Sequence, residues 1–255
     1  MRRLWALAFN TFREAVRDRI LYSILFFAVG VIVLSLALQE LTIGDQDKVV
    51  RSVAQGAIDI FGAIIAMFLG VSLVWKEIER KTVYTVLSKP IPRAMFVAGK
   101  YLGLMLTLAV EIGVMLALYA IMMTIQQHPP PLSVYVSMGT LMVQLALLCA
   151  WATLFSTYSA PTTAAAFTLA VYVIGHLADD IWTFGSAAES PAVQEVARAL
   201  YWMLPNFSLL DLRVYAVHER PIPWDRLPAS VAYGLAYTGA VLGLAMAVFQ
   251  RRDLK

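Results

Sequence analysis

Charge is scarce in this chain, and so are cysteine and histidine. Only 15% of the 255 residues are charged, against about 25% in an ordinary soluble domain, which excludes water as the main solvent. The single cysteine, Cys149, lies in an apolar run. It supplies neither an internal disulfide nor a multi-thiolate metal site, and packing is its expected role. His128, His176 and His218 show no HExxH spacing, so no metal site is expected. A phosphate-binding P-loop is also missing: the only Gly-Lys pair, Gly99-Lys100, is followed by Tyr101 and has no upstream glycine partner. Nucleotide is therefore not expected to bind here. The opening stretch is interrupted by Asn10, Arg13, Glu14 and Arg17, which does not suit a cleaved signal peptide, and the mature chain is expected to begin at Met1.

What is abundant is apolar sequence: 60% of the residues are hydrophobic and the mean hydropathy is +0.71. Crossing about 30 Å of hydrocarbon at 1.5 Å per residue takes roughly 20 apolar residues. Six segments approach or meet that length: residues 20–41, 53–75, 101–124, 134–155, 160–177 and 229–249, the fifth short and threonine-rich. They are continuously apolar rather than alternating, so they read as helices and not as barrel strands. The expected fold is all-α, one polytopic membrane domain over residues 1–255.

Six spans put both termini on one side. That side would hold Arg2, Arg3, Arg13, Arg17 and Arg19, then Lys76, Arg80, Lys81, Lys89, Arg93 and Lys100, then Arg251, Arg252 and Lys255, fourteen of the 20 basic residues. The positive-inside rule makes it cytoplasmic, and the architecture looks like that of a protein of a bacterial or archaeal plasma (inner) membrane. The first 19 residues set Leu4, Trp5, Ala8, Phe12, Ala15 and Val16 at helical spacing, which predicts an interfacial amphipathic helix, either a lipid anchor or an elbow that moves with the bundle.

The segment from Lys76 to Lys100 carries the most information. Val83, Val86 and Leu87 fall at i, i+3 and i+4, so a short helix between Arg80 and Ser88 has an apolar face, and Pro90 and Pro92 end it. Such a helix suits docking into a partner's groove; a solvated charged loop would also account for the charges.

In this segment the chain resembles the permeases of ABC type 2 transporters. The order Glu79, Arg80, Thr82, Leu87, Ser88, Pro90, Arg93 and Lys100 follows the pattern of that family, with Lys81 where a glycine is usual. Leu204–Arg213 and Phe249–Leu254 are similar to other family stretches. The wording is closest to the subgroup that includes the nitrous oxide reductase maturation permease. The resemblance implies six spans, an ATPase-coupling role for Glu79, Arg80, Thr82, Leu87, Pro90 and Arg93, and a separate pair of ABC ATPase subunits that bind ATP and Mg. It also implies a second permease, a copy or a paralogue, in the same membrane lipid. This chain itself would bind no cofactor and catalyse no reaction.

Polar residues inside spans are costly, at least about 2.5–3.5 kcal/mol per charge on insertion scales. Glu111 falls near the middle of the third segment, Asp59 nearer the outer end of the second, and Gln144 in the centre of the fourth. All three are candidates for a translocation path or a permease interface; Glu111 can equally be structural glue bonded to Thr107 or a neighbouring helix. The outer-side segment 178–228 contains a predicted helix opened by Pro191 and ended by Pro205, with an apolar stripe of Val193, Val196, Ala197, Leu200, Met203 and Leu204. It suits an interfacial or re-entrant element, and the resemblance favours a gate.

Three classes of function follow. ATP-driven export is the leading expectation. The alternative is an ABC-powered platform that drives a periplasmic maturation or motility partner without moving cargo. An ATP-independent channel or enzyme has thin support in two intramembrane carboxylates. Nucleic acid is not expected as a partner, because the basic residues follow topology rather than forming a patch.

Overall fold

The computed structural model describes residues 2–40, 46–79 and 93–251. They form ten helices in chain order, and no strand occurs among them: α1 (Arg2–Ala15), α2 (Arg19–Glu40), α3 (Gln46–Glu79), α4 (Arg93–Ile125), α5 (Leu132–Ser156), α6 (Pro161–His176), α7 (Ala178–Ser186), α8 (Pro191–Met203), α9 (Arg213–Val217) and α10 (Leu227–Arg251). Five are long and apolar enough to cross a bilayer, and a sixth span results if α6 and α7, bent by 61°, are taken together. The chain is an all-α polytopic membrane protein.

α3 and α5 form the centre. The apolar stretches of these two helices are 61% and 56% buried, against 22% for α2 and α10, so the latter pair lies on the rim with most of its surface turned outward. The α3–α5 seam is closed by small residues. A Cβ on Gly70 would lie 2.5 Å from Ala152 Cβ and 2.7 Å from the Cys149 carbonyl oxygen, a separation only glycine permits. Ser156 Oγ donates to the Val71 carbonyl across the same seam at 2.7 Å. Close backbone approach of this kind is how helices gain packing energy where burial from water no longer drives them together. Cys149 is fully buried in the seam.

The spans run longer than composition indicates. α3 begins at Gln46 rather than Val53, and α4 at Arg93 rather than Tyr101. Asp47, Lys48 and Arg51 are poor residues for lipid, yet they continue the helical hydrogen-bonding of α3 without a break. Asp47 pairs with His128, and Arg51 with Glu219. α4 ends in a Schellman arrangement: Gln127 takes φ 65°, His128 N–H reaches back to Met123 O at 3.0 Å, and three prolines follow at 129–131. Conversely, α6 has 16 residues, about 24 Å at 1.5 Å each, too short to cross alone.

Both chain ends meet at one end of the bundle. α1 packs along the start of α4, where Gly103 admits it: a Cβ there would lie 2.4 Å from Ala8 O and 2.6 Å from Thr11 Cβ. Phe249 near the end of α10 stacks on Phe96 of α4, ring centroids 6.4 Å apart. The apolar residues of α1 divide between two faces. Ala8 and Ala15 are buried, whereas Trp5 and Phe9 are exposed on a side the chain itself does not cover. Asp18 sets the elbow into α2 by accepting the Ile20 N–H at 3.1 Å, an N-cap bond.

At the opposite end the chain between α6 and α10 folds back on itself. α7 and α8 pair through Trp182 and Tyr201, centroids 4.9 Å apart. The α8 stripe is mostly turned outward: Ala197 is buried, while Val193, Val196 and Met203 are exposed. After Pro205 the chain dips inward. Phe207 N–H donates to Gly175 O at 2.9 Å, and its fully buried ring packs against Tyr172 and His176.

Candidate functional site

Arg51, Gln55 and Asp59 follow one another at i, i+4 and i+8 on α3, so they share a face. All three are buried. A polar stripe of two turns inside a membrane helix calls for polar groups from elsewhere; the fold supplies them to Arg51 and Asp59, whereas Gln55 Oε1 and Nε2 have no hydrogen-bond partner among the described residues.

Asp59 is the centre. Its Oδ1 accepts from Tyr172 Oη on α6 at 3.3 Å and from Gln144 Nε2 on α5 at 3.5 Å. Its Oδ2 lies 3.8 Å from the Arg213 guanidinium at the start of α9. Gln144 Nε2 also sits 3.2 Å from His176 Nε2, and His176 Nδ1 lies 2.9 Å from the Tyr172 carbonyl. That carbonyl can only accept, so the imidazole proton belongs on Nδ1 and Nε2 accepts from Gln144. The amide of Gln144 thus divides its two hydrogens between a carboxylate and an imidazole.

Arg213 is held in turn by Asp211. The Arg213 backbone N–H donates to Asp211 Oδ1 at 2.9 Å, and its guanidinium approaches Asp211 Oδ2 at 3.8 Å. A second tie runs parallel to the first: Arg51 of α3 pairs with Glu219, just past α9. Glu219 takes φ 51°, a left-handed conformation that costs a non-glycine residue about 1–2 kcal/mol. The two ties have opposite polarity, acid on α3 with base on the segment 211–219, then base on α3 with acid. A small cleft between them is lined by Gln55, Asp59, Ser137, Gln144, Asp211 and Arg213 over apolar Met138 and Leu141. Arg213 is shared between Asp59 and Asp211, and Arg51 pairs with Glu219; the arrangement ties residues 211–219 to α3.

Of the residues marked in the sequence, Asp59 and Gln144 are brought together. Glu111 stands apart on α4, and its Oε2 has no hydrogen-bond partner among the described residues. Thr107 Oγ1, one turn before it, donates to Gly103 O at 3.1 Å. A carboxyl buried this way contributes no compensating bond. Glu111→Leu is therefore expected to raise the thermal midpoint of the purified chain, and a fall on melting in detergent would show that Glu111 has a stabilising partner. Arg80, Thr82, Leu87 and Pro90 lie outside the described residues; Glu79 ends α3 and Arg93 opens α4.

Sequence reasoning missed Tyr172, His176 and Arg213. The Tyr172–His176 spacing of i, i+4 was the available signal, and it became informative only beside the stripe of α3.

The fold defines a multi-pass membrane protein with a buried polar network that links α3, α5, α6 and α9. The family model described as ABC-2 family transporter protein matches residues 5–254, and the chain belongs to that family. It is thus a membrane permease of an ABC transporter, a transporter subunit rather than an enzyme. No curated protein matches the chain.

Proposed function

We propose that this permease works in an ATP-driven exporter whose energy comes from separate ABC ATPase subunits docked at the end carrying both termini. One observation carries the reading. α3 continues through Glu79, four residues beyond the apolar run that ends at Trp75, about 6 Å, and α4 restarts at Arg93. Arg80, Thr82, Leu87 and Pro90 therefore lie in the chain between α4 and α3, the latter a central helix of the bundle. A push on that connection moves α3, and α3 carries the polar stripe at its other end. In this reading the stripe and its ties to Arg213 and Glu219 form the outer gate, and the change between closed and open is a change between two packings of the bundle. The basic residues clustered at the terminal end support a cytoplasmic placement of that end in a plasma membrane. A second permease, identical or related, completes the assembly.

Co-purification with an ABC ATPase subunit encoded beside this chain tests the proposal. Wild type is expected to hold the ATPase and stimulate its hydrolysis, and Glu79→Ala combined with Arg93→Ala to reduce stimulated hydrolysis by about tenfold, as expected when charged docking contacts are lost. Failure of the wild-type chain to bind any ATPase sinks the coupling reading. Stimulated hydrolysis that responds to a periplasmic protein and to no transported compound would instead favour the platform.

A further inference from the structure

We infer that His176, the last residue of α6, is a proton-binding site whose occupancy moves the Gln144 amide from two partners to one, so that acid releases α3 from α5. Its effect on transport rests on the outer-gate reading; the proton site itself rests on the geometry of the side chains.

The corner around His176 is short of positive charge. Asp59 on α3 and Asp211 just before α9 both approach one guanidinium, that of Arg213, at 3.8 Å. Arg51, further along α3, is taken by Glu219. Tyr172 of α6 faces Asp59 as a neutral phenol, and α5 contributes the uncharged Gln144. The Phe207 ring covers the imidazole, centroids 5.4 Å apart, and Ser208 Oγ donates to the His176 carbonyl at 3.2 Å. Asp179 of α7 is held by the Asn206 amide at 2.7 Å. When ionised, Asp59 and Asp211 therefore outnumber Arg213 by a single negative charge, which a proton on His176 cancels.

Hydrogen bonding turns that proton into a structural signal. His176 Nδ1 is committed to the Tyr172 carbonyl at 2.9 Å, which leaves the Nε2 lone pair as the place for a proton. Gln144 Nε2 now donates to that lone pair at 3.2 Å and to Asp59 Oδ1 at 3.5 Å. A proton taken from water onto Nε2 makes it a donor facing another donor, so the amide must turn over. Its oxygen then accepts from the imidazolium and takes the place of the nitrogen beside Asp59, where two acceptors meet and the bond is lost. Asp59 keeps Tyr172 and Arg213. One proton thus removes the bond between α3 and α5 and makes that between α5 and α6 charge-assisted. Water can deliver it: His176 is half-buried rather than enclosed, and the cleft beside Gln144 and Asp59 measures about 10 Å³, room for about one water molecule.

Nitrogen NMR of the full chain in detergent, with isotope-labelled histidine and glutamine, tests the site between about pH 8 and about pH 5, the range in which histidine changes charge. His176 is the signal that His176→Gln removes; should that variant fail to accumulate, Gln144→Met, which alters the imidazole beside it, makes the assignment. His176 is expected to start as the Nδ1–H tautomer and to gain a proton on Nε2, with the Gln144 amide signal moving in the same step. An imidazole that stays neutral throughout, or an amide that does not follow it, overturns the site. In the transporter assembled with its ATPase, hydrolysis uncoupled from transport is expected to rise about two- to tenfold over the same range, the equilibrium effect of one hydrogen bond. Gln144→Met is expected to lose that pH dependence while its imidazole still takes up the proton; an unchanged profile in this variant overturns the amide as the transmitter. A flat wild-type profile beside a His176 that titrates in step with Gln144 leaves the proton site standing and sinks the gate reading.

Discussion

Gly70→Val is expected to abolish accumulation of folded protein, and Gly70→Ala to lower the thermal midpoint by about 4–8 °C. The reason is steric. The first added carbon would sit 2.5 Å from Ala152 Cβ and 2.7 Å from a backbone oxygen, and neither can rotate away. The α3–α5 seam must therefore open along its length, separating Ser156 Oγ from Val71 O. Overpacking a core costs about 1–3 kcal/mol where side chains can yield, and about 2–4 °C per kcal/mol is typical for a chain of this size. A contrasting glycine makes the test specific: nothing lies within 4 Å of a Cβ built on Gly30, so Gly30→Val should leave fluorescence-detected size exclusion and melting of the detergent-solubilised chain unchanged. Equal effects at the two positions would mean that helix propensity, not the seam, is being measured.

Asp59→Leu is expected to destabilise the chain by about 2–6 kcal/mol, because Gln144 and Tyr172 each lose a buried acceptor at about 1–3 kcal/mol apiece. Asp59→Asn keeps an acceptor oxygen and should cost about 1 kcal/mol. The ion pair itself is a smaller matter. The Arg213 side chain is 39% exposed and its nearest approach to Asp59 is 3.8 Å, so a double-mutant cycle of Asp59→Asn with Arg213→Gln should give a coupling of no more than about 1 kcal/mol. Chemical denaturation in mixed micelles measures all four corners of the cycle. A coupling of several kcal/mol would show that the guanidinium is far more desolvated than its exposure indicates. On the proposed gate, Arg213→Gln is expected to raise ATP hydrolysis uncoupled from transport, since it loosens residues 211–219 while leaving the α3–α5–α6 hydrogen bonds intact.

The all-helical membrane fold was legible because hydrocarbon imposes one rule on every backbone group, and the apolar runs reported it directly. Asp59 and Gln144 were legible for the same reason: their polarity stands out against the runs. What could not be read was helical phase between segments. Nothing in the chain says that Gln144 and His176, or Asp59 and Arg213, turn toward one another, since that depends on how α5, α6 and α9 are rotated in the packed bundle. His176 was passed over because no metal-ligand spacing surrounds it in the sequence. The early start of α3 was hidden for a related reason. Asp47, Lys48 and Arg51 look like loop residues by composition, and only their tertiary partners His128 and Glu219 make a helix through them sensible. The bend between α6 and α7 has no proline to announce it; just before it, a Cβ on Gly175 would lie 2.6 Å from the Phe207 ring.

The bed that α4 offers to α1 has a consequence for synthesis. α1 is made first, but the residues that receive it, from Gly99 to Gly103, follow roughly 90 positions later. At about 5–20 residues per second, α1 waits on the order of 5–20 s for its partner. During that interval its exposed Trp5 and Phe9 have only the membrane surface to cover them, so the amphipathic character of the first helix doubles as a parking device for the nascent chain. Elongation rate through the first three spans, and not only the final packing energy, then decides how often α1 arrives at the right place.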